Sequence, residues 1–382
     1  MKRLMVGLML LLLLFPLPAW AEESEPNLEE QLQAQLDALG GDELLRRVPE
    51  EAREYLQEAD LFEISLSQLM ELTPGKFFPA LGRMFWNTVK RPSRTLAAML
   101  AVIMLCALLE SLRDTVSEPA LSGAFQTVSV LCILTAVATP ILDCIVRTTN
   151  TIQQAAFFML SFIPMFSAAM VSAGQPATGA AYNLFLLSAC QVVSQVVAQT
   201  FIPMMAIYLA FCICGSFVPE LNVASAASGI RNIVSWAMGL MLTVFVSLLS
   251  IQSMLSHGAD GVGVKATKFL INSLVPAVGN ILSDAYIAAQ GCLRLLKTTV
   301  GAYGIVVALF TFLPTFLYVA VWYLITRVVS LAGDIVGADR VSGILKACSN
   351  VLGLLIAAIF CFALLIIIST SVVMITGLGG AG

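Results

Sequence analysis

Apolar residues run in long blocks through most of this chain, and its polar residues are gathered near the start. From residue 95 onward the blocks are 95–112, 121–146, 152–173, 182–218, 233–255, 269–290, 301–325 and 345–375. A helix needs about 20 apolar residues to cross a bilayer, so most of these blocks predict one span each. The 182–218 block is too long for one simple span, and Pro203 divides it. The pattern predicts an all-α, polytopic membrane protein with eight or nine spans. Polar links separate the blocks at 174–179, 257–268 and 334–340. Pro164, Pro203, Pro276 and Pro314 each follow two apolar residues inside a block, so several spans are expected to be proline-broken.

The part before residue 95 reads differently. Residues 1–21 carry Lys2 and Arg3, then an apolar core, then the small-x-small sequence Ala19-Trp20-Ala21, which together predict a secretory signal peptide. Residues 22–75 form an acidic, helical, extracytoplasmic segment. Leu28, Leu32, Leu36 and Leu39 recur at helical spacing until Gly40-Gly41, Pro49 opens a second helix, and a third is predicted over 61–72. Residues 76–94 predict a basic amphipathic helix lying in the membrane interface. Phe77, Leu81, Phe85 and Val89 share one face, flanked by Lys76, Arg83, Lys90 and Arg91, with Trp86 at the edge. Residues 95–382 are the multi-span membrane domain.

Composition sharpens this picture. Of 382 residues, 59% are hydrophobic and 12% charged, about half the charged share of a soluble domain. Residues 22–94 hold 15 acids and 8 bases, whereas 95–382 hold 9 acids and 10 bases. The acidic balance therefore belongs to the head, and no basic module for nucleic acid is present. Five bases in 76–94 beside the first span oppose the positive-inside rule if the head is exported, so the side of the C-terminus stays open.

Candidate chemistry is sparse. The single histidine, His257, and the absence of a CxxC pair leave no metal motif, and the nine cysteines read as small buried hydrophobes. Neither a P-loop nor a hydrolytic triad is recognisable, so no cofactor and no catalytic residue is expected. The most informative polar pattern is Gln191, Gln195 and Gln199, at i, i+4 and i+8. Amides avoid hydrocarbon, so this row is expected to point into the bundle, lining a hydrated path or joining helices. Asp143 and Arg147 have the spacing of a helical ion pair. Pro276, Asn280 and Asp284 interrupt the apolar stretch 268–305, and an ionisable group at membrane depth marks a candidate pathway or helix contact.

That stretch also carries a resemblance. Leu274-Val275-Pro276, Leu282-Ser283-Asp284-Ala285, Leu295-Leu296-Lys297 and Gly301-Ala302-Tyr303-Gly304 resemble the signature region of the stage III sporulation protein AE family. The layout of signal peptide, acidic segment and polytopic region is similar to that family's too. The resemblance implies a non-enzymatic subunit of a secretion-like channel complex in the mother-cell membrane around the forespore of an endospore former. It implies as partners the other stage III sporulation A-operon proteins and stage II sporulation protein Q, beside membrane lipid. The residues alone leave a second reading, a self-sufficient secondary transporter with its site near Pro276 and Asp284.

Overall fold

The computed structural model describes residues 28–375, except 60, 66–78, 80–81, 87, 90–95, 106–107, 109–118, 218–222 and 275–278. The expected signal peptide lies outside the described residues, as do Lys76, Lys90, Arg91 and Pro276. The described chain is all-helical, with no strand among its residues. Three short helices come first: α1 (Leu28–Ala38), α2 (Gly41–Arg46) and α3 (Glu50–Glu58). Long helices follow: α4 (Pro119–Ser172), α5 (Pro176–Val196), a π-helical turn (Val197–Phe201), α6 (Ile202–Phe217), α7 (Val223–Leu274), α8 (Gly279–Val336) and α9 (Asp339–Ile375).

Five stretches among the described residues are long and apolar enough to cross a membrane: Thr127–Ser172, Pro176–Gly215, Ser225–Val262, Gly291–Val336 and Val341–Ile375. Of the eight or nine spans read from the sequence, 95–112 and 269–290 fall partly outside the described residues. Polar residues that look like breaks are absorbed into continuous helix. Thr149 donates to the carbonyl of Ile145, and Thr298 and Thr299 donate to those of Arg294 and Leu295. A hydroxyl bonded back to its own helix needs no water, so the helix runs on. The predicted 257–268 link is likewise helical, inside α7. Pro164 and Pro314 lie within α4 and α8 without ending them. At Pro203 the helix changes character, through the preceding π turn. In the head, 61–65 is not helical, contrary to the third helix expected there.

The chain reverses sharply at two glycines. Gly174 (φ 81°) and Gly337 (φ 83°) take the left-handed conformation after α4 and α8. In each case the next residue's N–H reaches back to the helix, Gln175 to Met170 and Ala338 to Gly333, both at 2.9 Å. This is the Schellman arrangement, which satisfies the terminal carbonyls and favours glycine. The resulting α4–α5 and α8–α9 hairpins pack together, with α8 against α4 and α7 against both α5 and α9. Phe158, Phe162 and Phe166 stack in a ladder on α4, at 5.7 and 5.5 Å between rings, and Tyr182 of α5 closes it edge-on.

The tertiary contacts align the charges into two levels. At one, Arg147 pairs with Asp143 at 3.1 Å, as its spacing predicts, and lies over the Tyr318 ring; Tyr318 donates to Asp143 at 2.6 Å. At the other, Lys297 of α8 meets Gln175 beside the first hairpin turn. Between these levels the long helices carry no charge: 148–172, 176–217, 232–256, 298–317 and 351–375 are all uncharged. Positions 297 and 318 are 21 residues apart, about 31 Å of helix, which matches the hydrocarbon core of a bilayer.

The head docks on this belt. Ala52 and Leu56 of α3 are fully buried, Leu61 and Ile64 nearly so, and α3 packs on α8. Tyr303 donates to the Phe62 carbonyl at 3.0 Å, and Thr315 donates to Glu51 at 3.4 Å. Tyr303→Phe removes one of these ties. The expected cost is about 1 kcal/mol of docking, read as roughly fivefold faster proteolytic nicking of the head with the long helices intact.

A glutamine-lined cleft and a buried polar junction

The π turn and the glutamine row occupy the same part of the bundle. Tyr182, Leu186, Cys190 and Val193 of α5, with Val197 of the π turn, take the interior, one helical face of spacing three and four. Gln191, Gln195 and Gln199 are consequently exposed, rather than pointing into the bundle as the sequence suggests. They line an open cleft of about 280 Å³ between α5 and α4, whose far wall carries Gln153, Phe157 and Leu160. Gln153 was not singled out in the sequence. Gln153 stands next to Gln154 in a threonine-rich stretch, and only the hairpin brings it opposite the row.

The π turn ends the row. Ile202 donates to Val197, five residues back instead of four. Pro203 has no N–H, so one carbonyl of this turn loses its usual donor. Such single π turns within α-helices are frequent at functional sites. The arrangement combines four uncharged side-chain amides with loosened backbone, inside the charge-free belt. It can exchange hydrogen bonds with water or with a neighbouring helix.

A second polar cluster closes the belt at the hairpin end. Helix α5 begins Gln175-Pro176, and the Gln175 side chain makes no cap. The cap comes from α7 instead. Asp260 accepts from the Ala177 and Thr178 backbone N–H groups at 2.8 and 2.9 Å, and from the Thr178 hydroxyl at 2.6 Å. Gln175 accepts from Lys297 of α8 at 2.8 Å. Asp260 is 6% exposed and Lys297 2%, so three helices meet around a carboxylate and an ammonium withdrawn from solvent. The signal in the sequence is a helix start without Ser, Thr, Asp or Asn, and a solitary acid in a long apolar helix.

The remaining predicted positions are dispersed. Asn280 and Asp284 fall in the helical start of α8, but their side chains lie outside the described residues. Arg83 forms an ion pair with Glu58 of α3 at 3.2 Å, and Trp86 is 63% exposed. The glycines of the 301–304 signature have a packing role. A Cβ on Gly301 would lie 3.0 Å from the Phe166 ring, and one on Gly304 only 2.1 Å from the Phe162 ring.

The sequence pattern of the stage III sporulation protein AE family matches residues 57–377. A relative from Bacillus subtilis (strain 168), called stage III sporulation protein AE, is 21% identical over 235 residues. The match covers 62% of this chain and 59% of that relative, so it spans about three fifths of the relative's length. No solved structure matches. With the family pattern running from the last turn of α3 through all five long apolar stretches, the chain belongs to the stage III sporulation protein AE family.

Proposed function

We propose that this protein is a non-enzymatic membrane subunit of a channel or secretion-like complex between mother cell and forespore, and that it supports forespore development. Its partners in this reading are the other stage III sporulation A-operon proteins and stage II sporulation protein Q, and its place is the mother-cell membrane around the forespore. The observation that carries the reading is the glutamine-lined cleft, open on the outside of the bundle at membrane depth. Unpaired amides are costly against lipid, so the isolated chain presents a surface completed by another helix or by water. Exposed Trp86, with the bases of 76–94, would anchor the chain at the membrane interface.

The test replaces Gln191, Gln195 and Gln199 together by leucine. Each amide contact between membrane helices contributes about 0.6 kcal/mol, so losing three weakens assembly by about 2 kcal/mol, over tenfold. The expected result is reduced co-purification with the stage III sporulation A proteins from sporulating cells, at unchanged thermal stability of the isolated chain. Normal co-purification and normal sporulation of the triple variant would overturn the reading. The π turn before Pro203 favours a second reading, a self-sufficient transporter, because broken helices mark substrate sites in that class. Gradient-driven uptake by the purified chain alone in liposomes would establish it.

A further inference from the structure

We infer that the face of the bundle carrying α3 borders a water-filled space at membrane depth, while the α5–α7 face meets lipid. The inference rests on the subunit reading and adds which side of the subunit is wet. Its basis is the position of the head. Tyr303 and Thr315, which hold Phe62 and Glu51, both lie between Lys297 and Tyr318, inside the charge-free belt. The apolar side of α3 is spent on α8, which turns Glu50, Glu54 and Glu58 outward. Glu58 is paired with Arg83, whose own side chain is largely exposed. Arg53 holds the carbonyl of Arg46. A charged helix docked at bilayer depth is tolerated when it is enclosed by protein or lines water.

The opposite face has the reverse character. Between α5 and α7 runs a groove of about 520 Å³ lined by Phe185, Val192, Val244, Phe245 and Leu248, with Ser188 its one polar side chain. Ser188 is bonded back to the Leu184 carbonyl at 2.7 Å, so it asks nothing of its surroundings. Val192 stands at the same depth as the head, because the α4–α5 hairpin sets it level with the part of α4 that faces Tyr303 and Thr315. One side of the belt thus fits acyl chains and the other fits water. In an assembly this makes each copy a wall, with its own acidic head lining the enclosed space.

Thiol labelling in membranes from sporulating cells tests this. Glu54→Cys and Val192→Cys are compared with the unsubstituted chain for reaction with a maleimide, which requires the thiolate and therefore water. A third variant, Glu51→Cys with Thr315→Cys, is treated with a short bifunctional thiol reagent to report whether the head is docked. The expected result is bridging of 51 to 315, labelling at 54 within about tenfold of an exposed loop thiol, and labelling at 192 slower by about a hundredfold. Failure to bridge means the head leaves the belt, and overturns the inference. So does an unreactive position 54, which would place α3 against lipid or protein. So does rapid labelling at 192, which would put the whole belt outside the bilayer. Co-purification of the neighbouring subunits from the same membranes reports on the subunit reading separately.

Discussion

Asp260→Ala lowers the unfolding free energy by about 3 kcal/mol, the expected result of leaving buried donors and a buried charge without their acceptor. Three donors lose their partner at once: the Ala177 and Thr178 backbone N–H groups and the Thr178 hydroxyl. The positive end of the α5 dipole loses the carboxylate that faces it. Lys297 keeps the Gln175 oxygen but loses the nearby negative charge of Asp260. Asp260→Asn has the same shape and one accepting oxygen, so its expected cost is about half. Lys297→Met should cost less than about 1 kcal/mol, because replacing a buried ion by an apolar chain of similar length removes a desolvation penalty along with the attraction. Denaturant titration of the purified protein in bicelles ranks the three variants. Equal losses for Asp260→Ala and Lys297→Met would refute the cap as the dominant interaction.

Gly304→Ala is expected to destabilise by about 2 kcal/mol, although alanine is the better helix former by about 1 kcal/mol. Two effects oppose each other here, and the packing decides. The added Cβ would sit 2.1 Å from the Phe162 ring, which is fully buried and stacked between Phe158 and Phe166. The ring cannot withdraw without disturbing both neighbours. Gly343, in α9, has no atom within 4 Å of an added Cβ and is exposed, so Gly343→Ala should raise stability by up to about 1 kcal/mol. Opposite signs for the same substitution in two helices separate packing from propensity. Phe162→Leu added to Gly304→Ala should recover part of the loss, since the smaller side chain vacates the space the Cβ needs. Unfolding midpoints of the three variants measure all of this, and a stabilised Gly304→Ala would remove the close approach of α4 and α8 from consideration.

The glycine result also explains part of the signature read in the sequence. Gly301 and Gly304 let the phenylalanine ladder of α4 approach α8, while Tyr303 between them turns to the head. Gly301, Tyr303 and Gly304 therefore carry a packing geometry and a docking bond. The pair Asp143 and Arg147 was legible because an i, i+4 relation depends only on helical pitch. Its third member, Tyr318, was not, since it arrives from another helix 175 residues away. The glutamine row was legible as a row but not in its direction. A helical spacing fixes which residues share a face, not whether that face meets the bundle or its outside.

The sequence by itself determined that this protein is helical and apolar enough to cross a membrane, where its chain reverses at Gly174, and that its charge is concentrated before residue 95. Those properties follow from local composition and backbone conformation. Only the tertiary structure decided which predicted breaks among the described residues are continuous helix, because hydroxyls bonded back within a helix, and prolines accommodated inside one, let it run on. It alone set the charge-free stretches side by side, brought Asp260 to the start of α5, and laid the acidic head on α8. Each of these rests on contacts between residues distant in the chain, whose partners are chosen by packing and the desolvation of polar groups.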